Sequence, residues 1–236
     1  ARSFSYRERF AKGTPAARPR AALRRGKYDF AVAYPDPASV PLDGLLTSLD
    51  EAMKEEGEGL AVYPHPQGYP PLREYITQKL AKDRDIHVSP DEVVLADGSS
   101  QPIHMICEVL LDPGDVVLTE DFVYSGTLGT LRRFQADIRG VTCDDQGMDP
   151  GALESVIQRA ISQGKRPKFM YLIPTFQNPQ GWEIPLERRQ AIVRLSQHYD
   201  VPILEDDCYV DLRYEGEPVT SLHSLDGTGR VMYVAS

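Results

Sequence analysis

The residues best suited to chemistry form an acidic segment that directly follows an apolar run. Glu205, Asp206 and Asp207 come after Val201–Leu204, and Tyr209 follows shortly after them. Adjacent carboxylates at the end of a buried strand repel one another, so other groups must offset their charge. Three interpretations are open: a divalent metal site, a solvated strand end, or a carboxylate that faces a cationic heteroaromatic ring while Tyr209 donates to a neighbouring oxygen. No further His or carboxylate stands at a convincing ligand spacing, which disfavours the metal.

A second candidate is a group of small polar residues at the start of a predicted helix. Gly98, Ser99 and Ser100 follow the apolar run Val93–Ala96, which we interpret as a strand. Ligands of parallel α/β sheets lie beyond the carboxyl ends of the strands. Backbone N–H groups, hydroxyls and a helix N-terminus all attract anions there. The segment therefore fits a phosphate-binding cradle, and an ordinary serine N-cap is the alternative.

Two further residues follow other predicted strands. Tyr124 stands at the start of a predicted helix, where its ring could stack on a flat ligand, although an aromatic residue at such a position commonly belongs to the core. Asn178 is the only asparagine of the chain and precedes Pro179. An Asn-Pro pair followed by glycine is common turn chemistry. The Asn178 amide could also donate to a ligand oxygen.

The elements that must position these residues are strands alternating with helices. Strands are predicted at Val93–Ala96, Val116–Thr119, Ile138–Thr142, Phe169–Ile173, Val201–Leu204 and Val231–Val234, and helices at Leu42–Glu56, Leu72–Asp83, Pro102–Leu111, Ser125–Phe134, Pro150–Gln163 and Leu186–Tyr199. The strand runs are nearly continuous in Val, Ile and Leu, which is typical of a sheet buried on both faces. We therefore expect an α/β fold, a three-layer sandwich with a mostly parallel sheet.

Charge and cysteine content narrow the class of protein. The net charge of −9 argues against a general nucleic-acid binder. Residues 1–27 differ, with nine Lys and Arg against one Glu, and we interpret them as a surface arm, with a targeting segment as the alternative. No apolar run is long enough to span a membrane. The three cysteines show neither CxxC spacing nor a disulfide framework, which indicates reduced thiols in a cytoplasmic protein.

Taken together, the segments from 28 to 236 resemble the fold-type-I pyridoxal phosphate enzymes. The nearest groups are the class I/II α-aminoadipate and kynurenine aminotransferases and the aminotransferase-like domains of MocR regulators. The resemblance depends on the order and spacing of these motifs: Tyr63-x4-Gly68-x3-Leu72-Arg73, Gly98-Ser99-Ser100-Gln101, Asp112-Pro113-Gly114-Asp115, Tyr124-Ser125-Gly126, Asn178-Pro179-x-Gly181, Asp206-x-x-Tyr209, and Gly229-Arg230-Val231 leading to Ser236. It implies an N-terminal arm and small-domain segment over 1–45 and the large cofactor-binding domain over 46–236.

The resemblance assigns roles around the ring of pyridoxal phosphate. Asp206 would pair with the pyridinium nitrogen and keep it protonated, and a protonated ring is the electron sink of this chemistry. Tyr209 and Asn178 would hydrogen-bond the phenolate oxygen. Tyr124 would stack on the ring face. Asp206 and Tyr209 are the catalytic candidates.

The same resemblance places the phosphate of the cofactor. Ser99, Ser100 and Ser236 would hold it, with backbone N–H groups after Gly98 contributing at the helix N-terminus. Tyr63 matches a residue that reaches the phosphate of the partner subunit. The resemblance therefore implies a homodimer with shared active sites.

The activity implied is transfer of an amino group between an amino acid and a 2-oxo acid, within amino-acid metabolism. The Schiff-base lysine would lie shortly beyond Ser236, outside this sequence, and the small C-terminal domain is missing, so we expect the N-terminal portion of a longer chain. Two alternatives stay open: the effector-sensing domain of a MocR-type regulator, and another pyridoxal phosphate reaction, such as that of a decarboxylase or lyase. Fold by itself does not decide among them.

Overall fold

The computed structural model describes residues 4–11, 14 and 35–236, which belong to two structural units. The units comprise Ala1–Pro64 and His65–Ser236, and each is described by itself. The first contains 3-10 helices at Tyr6–Arg9, Pro37–Ser39 and Gly57–Ala61, and helix α1 at Leu42–Glu56. The prediction of a helix over Leu42–Glu56 is confirmed. Most of the basic segment 1–27 lies outside the described residues, so its role as an arm stays a prediction.

A parallel sheet forms the centre of the second unit. The strands of this unit are β1 (Val116–Glu120), β2 (Asp137–Val141), β3 (Cys143–Asp144), β4 (Gly147–Met148), β5 (Pro167–Leu172), β6 (Ile203–Asp206) and β7 (Val231–Val234). The sheet has the order β2-β1-β5-β6-β7, and each neighbouring pair in it is parallel. Strands β3 and β4 pair antiparallel in a separate short hairpin. The predicted parallel sheet is confirmed.

Helices cover both faces of this sheet. They are α2 (Pro70–Arg84), α3 (Ser100–Leu110), α4 (Ser125–Arg133), α5 (Pro150–Ser162), α6 (Leu186–Tyr199) and α7 (Leu222–Asp226). Successive strand residues point to opposite faces, so Leu118 of β1 joins a buried cluster with α5, α6 and α7, whereas Val117 joins one with α3 and α4. The result is the expected three-layer sandwich. Within the described residues, every helix is too short or too polar to span a lipid bilayer.

One predicted strand is wrong. The segment Val93–Ala96 is not a strand, and none of the described strands pairs with it. The Leu95 N–H donates to the Gln67 carbonyl at 2.9 Å, while the side chain of Val94 is 51% exposed. An apolar, β-branched run has the residue types that strands prefer. A strand also needs an adjacent strand whose backbone groups form hydrogen bonds with its own.

The other predicted elements are present within two residues of their expected bounds. The shift that matters for the site concerns β6, predicted at Val201–Leu204 and observed at Ile203–Asp206. Pro202 has no N–H to give to a ladder, and pairing begins at Ile203, which lies opposite Met170 and Val231. The strand then continues through two acidic residues, so they are buried strand residues and not part of a solvated strand end.

A buried arginine fastens the loop that leaves β5. Arg189 on α6 is fully buried. Its guanidinium donates to the carbonyls of Pro174 (2.9 Å), Ile184 (2.8 Å) and Thr220 (3.1 Å) and to the Thr175 hydroxyl (3.0 Å). One side chain therefore holds both ends of the segment 174–184 and ties it to the chain before α7.

Replacing this arginine tests its structural role. We expect Arg189→Ala to lower the free energy of unfolding by about 3 kcal/mol or more, because several buried oxygens lose their donors at once. Arg194→Ala, an exposed change on the same helix, should stay within about 0.5 kcal/mol of wild type. Urea unfolding of the complete gene product measures both variants. Equal effects of the two substitutions would show that the bonds of Arg189 do not hold the loop.

Candidate active site

Asp206 is the last residue of β6 and the centre of the candidate site. Its carboxylate is 2% exposed. The Tyr171 hydroxyl donates to Asp206 Oδ2 at 2.6 Å, whereas Oδ1 is buried without a hydrogen-bond partner. Burial raises the pKa of Asp206, and the hydrogen bond from Tyr171 counteracts that rise. Asp206 is therefore a buried carboxylate with one oxygen that is still without a donor.

The two neighbouring carboxylates have hydrogen-bond partners within the protein. Glu205 accepts two backbone N–H groups at the start of α7, at 2.9 Å each, where the helix N-terminus favours negative charge. Asp207 Oδ2 accepts from Arg84 Nη2 (2.5 Å) and from the Tyr233 hydroxyl (3.0 Å). Asp207 Oδ1 is unpartnered, but its carboxylate already has a cation. Asp207 thus has a cation that offsets its charge, whereas burial outweighs the two N–H hydrogen bonds of Glu205 and raises its pKa to about 7.

Asp206 differs from both neighbours because it has neither a cation, as Asp207 has, nor two backbone N–H hydrogen bonds, as Glu205 has. None of the ion pairs among the described residues involves Asp206. The thiol and the N–H of Cys208 approach the carboxylate and lower its pKa, yet neither gives Oδ1 a hydrogen bond. Within residues 4–11, 14 and 35–236, no group of three or more His, Cys, Asp or Glu is arranged to hold a metal ion.

Tyr209 and Asn178 come together beside this strand end. Asn178, in the loop after β5, donates from Nδ2 to the Tyr209 hydroxyl oxygen at 3.2 Å. Because that oxygen accepts from Asn178, the proton of Tyr209 remains free for another acceptor. Burial raises the pKa of Tyr209, so the phenol keeps this proton at neutral pH. The pair therefore presents one phenolic donor.

A buried glutamate holds the loop that carries Asn178. Gln177 Nε2 donates to the Phe122 carbonyl (2.6 Å) and to Glu120 Oε2 (3.1 Å). Glu120, at the end of β1, also accepts from the Ile173 N–H at 3.2 Å and the Trp182 indole at 3.4 Å. Only 1% of Glu120 is exposed, and burial raises its pKa to about 7. The loop is thus fastened to β1 by a carboxylate.

Tyr124 occupies the N-cap position of α4, just beyond β1. Its side chain is 41% exposed. A Cβ at Gly126 would lie 2.7 Å from Tyr124 Cζ and 2.9 Å from its hydroxyl oxygen, which is closer than atoms pack. The absence of a side chain at Gly126 therefore allows the ring position that Tyr124 adopts.

The predicted phosphate cradle is a glycine turn that leads into α3. Gly98 has a φ of +69°, which favours glycine. Ser99 is the N-cap residue of α3 but makes no side-chain capping hydrogen bond, so the ordinary N-cap alternative is not supported. Ser100 is the first helical residue. Ser236 follows β7 and is exposed.

Not every predicted site residue is connected to the others. None of Ser99, Ser100 and Ser236 forms a side-chain hydrogen bond with Asp206 or Tyr209 in the described part of the chain. Their share in one site stays a prediction. Tyr63 belongs to the first unit, where its side chain is 98% exposed, and its role also stays a prediction.

Sequence reasoning missed the residues that hold the site residues in place. Tyr171 and Thr127 support Asp206, and Glu120 and Gln177 support Asn178. Tyr171 and Glu120 lie inside or at the end of apolar strand runs, so the pattern assigned them only to strands. A usable signal was present in Glu120, because a carboxylate that ends a buried strand requires donors.

Comparisons with known proteins show the family to which the chain is similar. The family model for aminotransferase class I and II matches residues 35–236. Aromatic-amino-acid aminotransferase 1 of Thermococcus litoralis is 31% identical over 206 residues, which cover 87% of this chain and 49% of that protein. The uncharacterized HTH-type transcriptional regulator YisV of Bacillus subtilis is 33% identical over 174 residues, which cover 74% of this chain and 35% of the regulator.

A solved structure shows the same likeness in three dimensions. It is LysN, α-aminoadipate aminotransferase from Thermus thermophilus, complexed with N-(5'-phosphopyridoxyl)-L-leucine. It matches with a TM-score of 0.84 and 32% identity, over 99% of this chain and 58% of that one. The chain thus spans about half the length of the aminotransferases that it matches.

The buried Glu120 predicts a specific dependence of stability on pH. The pKa of Glu120 is about 7 when folded, against 4.5 ordinarily, so the folded protein holds a proton that the unfolded chain has already released in this range. We therefore expect the free energy of unfolding to fall by about 2–3 kcal/mol between about pH 5 and pH 8. Glu120→Gln, which cannot ionise, should remove the share of the decline that comes from Glu120 and leave the share of Glu205, whose pKa burial also raises to about 7.

Urea unfolding of the complete gene product without added cofactor, repeated across that range, measures the effect. Glu187→Gln, an exposed change on α6, should keep the wild-type slope. Parallel curves for wild type and Glu120→Gln would contradict the assignment.

Proposed function

Because the chain belongs to the aminotransferase class I and II family, we propose that it supplies the cofactor-binding residues of a pyridoxal-phosphate-dependent aminotransferase. The reaction moves an amino group between an amino acid and a 2-oxo acid. The observation that carries the proposal is the buried carboxylate of Asp206, which has Tyr171 on one oxygen and no partner on the other.

Asp206 fits the protonated ring nitrogen of pyridoxal phosphate. A ring N–H⁺ supplies both things that Asp206 lacks, namely a donor for Oδ1 and a positive charge. When bound, pyridoxal phosphate provides a cationic ring that accepts the electron pair released at the α-carbon of the amino acid. The charge of Asp206 stabilises the protonated nitrogen and so maintains the ring as an electron sink.

Tyr209 and Asn178 fit an anionic oxygen on the same ring. The phenolic proton of Tyr209 is free because Asn178 occupies its oxygen, and a neutral phenol can donate to a phenolate. We assign Tyr124 to the ring face, since it stands beyond β1 with a partly exposed ring. Together these residues orient the ring, while Asp206 controls its charge.

The turn before α3 fits the phosphate. The Gly98 N–H donates to the Ala96 carbonyl, whereas Ser99 and Ser100 place backbone N–H groups and hydroxyls at the start of α3, where an anion is favoured. The hydroxyl of Ser99 makes no capping hydrogen bond to the helix, which supports a role in binding the ligand. We assign Ser100 and Ser236 to the same phosphate-binding group. Tyr63 is assigned to the phosphate of a partner subunit. That assignment entails a homodimer with shared sites.

The finer assignments are proposals on the same basis. We place the protein in amino-acid metabolism and in the cytoplasm, where its three free cysteines would stay reduced. We retain the division into an arm and small-domain segment over 1–45 and a large domain over 46–236.

A second candidate function follows from the match to a transcriptional regulator. In that case the chain would bind pyridoxal phosphate as an effector-sensing domain without turnover. Tyr209 and Asn178 form a hydrogen bond with each other near Asp206. This pair favours the enzyme, because a sensor does not need residues that adjust the reactivity of the cofactor ring. Turnover separates the two functions.

The first test is cofactor binding and amino transfer by the complete gene product. We expect a near-visible absorption band with pyridoxal phosphate, and transfer from a panel of L-amino acids to 2-oxoglutarate. Asp206→Asn should weaken cofactor binding at least about tenfold and reduce transfer at least about a hundredfold, because the charged partner of the ring nitrogen is lost. Asp145→Asn, an exposed change, is the control.

Each failure has a meaning. Binding without transfer from any donor would favour the regulator or another reaction. No binding at all would refute the cofactor assignment, and full activity in Asp206→Asn would refute the role of Asp206.

A second test uses the space around Tyr124. Gly126→Ala should displace the Tyr124 ring and weaken cofactor binding several-fold, because the new Cβ would overlap that ring. Gly129→Ala on the same helix meets no atom within 4 Å and should leave binding unchanged while stabilising α4 slightly. Dissociation constants for pyridoxal phosphate measure both. Equal binding by the two variants would show that the ring position of Tyr124 does not matter.

A further inference from the structure

A chain of three buried side chains ends at Asp206. Thr127 on α4 donates to the Tyr171 hydroxyl oxygen at 3.1 Å, and Tyr171 on β5 donates to Asp206 Oδ2 at 2.6 Å. Thr127, Tyr171 and Asp206 are between 0% and 2% exposed. The chain therefore joins a helix and two neighbouring strands through groups that are shielded from water.

The direction of each hydrogen bond in this chain is fixed by chemistry. An ionised carboxylate only accepts, so the single proton of Tyr171 must point at Asp206. The oxygen of Tyr171 is then free to accept, and Thr127 supplies the donor. Removing the hydroxyl of Tyr171 would leave Asp206 Oδ2 without a donor in a buried position.

We infer that Tyr171, held by Thr127, is a positioning residue for the cofactor-binding carboxylate: it occupies Asp206 Oδ2 and leaves Oδ1 as the oxygen that meets the ring nitrogen. The inference rests on the proposed function and extends it to residues outside direct contact with the cofactor. One fact agrees with it: Oδ1 is the oxygen of Asp206 that has no hydrogen-bond partner within the described residues.

Tyr171 also determines how readily Asp206 keeps its charge. The ionisable groups around Asp206 are Tyr171 on β5 and Asp207, Cys208 and Tyr209 along its own segment. Burial and the charge of Asp207 raise the pKa of Asp206, whereas the hydrogen bond from Tyr171 and the approach of the Cys208 thiol and N–H lower it. Without Tyr171 the pKa would rise further, and the carboxylate would take up a proton at a higher pH. A protonated Asp206 no longer stabilises a ring N–H⁺.

The test compares two ligands on the complete gene product: pyridoxal phosphate, and an analogue with C–H in place of the ring nitrogen. Their ratio of dissociation constants isolates the contact with Asp206, because the phosphate and the aldehyde are the same in both. Tyr171→Phe should reduce the preference for pyridoxal phosphate roughly tenfold. It should also move the acid limb of pyridoxal phosphate binding up by roughly one pH unit, for the same reason.

Tyr233→Phe is the matched control, since Tyr233 donates to the adjacent carboxylate Asp207 from the neighbouring strand. It removes a tyrosine hydroxyl from a partly buried hydrogen bond to the adjacent carboxylate and should leave the ligand preference and the acid limb at wild-type values. If Tyr171→Phe does not fold, Thr127→Val takes its place. That variant weakens the donor chain without breaking it, so the preference should fall about twofold.

The outcomes are distinguishable. A wild-type protein that does not bind pyridoxal phosphate refutes the proposed function. If Asp206→Asn loses the preference for the ring nitrogen while Tyr171→Phe and Thr127→Val keep it, the proposed function stands and this inference is wrong. An equal fall in Tyr233→Phe would also overturn it, because the effect would then be general loss of structure.

Discussion

A carboxylate buried without a cation is the constraint on which the rest of this structure depends. Taking a charge out of water is costly unless donors or an opposite charge replace the lost hydration. Glu205 receives a helix N-terminus and Asp207 receives Arg84, whereas Asp206 receives one hydroxyl. The protein therefore tolerates an incompletely satisfied anion at one point of its sheet. A ligand that carries a positive charge and an N–H group would relieve that cost, and the protonated ring of pyridoxal phosphate that we propose for this site has both.

The surrounding fold holds in place the groups that we propose to contact such a ligand. The loop after β5 contains no helix or strand to stiffen it, yet it is held by Arg189 at its two ends and by Glu120 through Gln177. Both fasteners are charged side chains buried among backbone groups and amides. Asn178 is consequently placed by contacts that other residues of the same loop make. Rigidity comes from polar groups inside the protein, while the apolar clusters determine where the layers lie.

Much of this architecture could be predicted from the residue pattern, and the failures have physical causes. Continuous apolar runs and helical periodicity predicted the parallel sheet and its helices. Strands that are buried on both faces of a sheet are restricted to apolar residues, so they are easy to identify in the sequence. The pattern failed at Val93–Ala96, since a strand depends on its partner as much as on its own residues. It also missed Tyr171 and Glu120, because a polar residue within an apolar run carries no local sign of what it will contact. Asp206 and Tyr209 were found through motif spacing, whereas their supports are visible only once strands lie side by side.

The alternation of side chains along β6 restricts how this region can evolve. Ile203 and Glu205 point to the face covered by α7, and Leu204 and Asp206 point to the face of Tyr171. Insertion or deletion of one codon before Glu205 would exchange the two acids between faces. It would place the helix-bound glutamate beside the phenol and send the aspartate towards α7. Natural variation can thus substitute single side chains around β6 far more easily than it can insert or delete a residue within the strand.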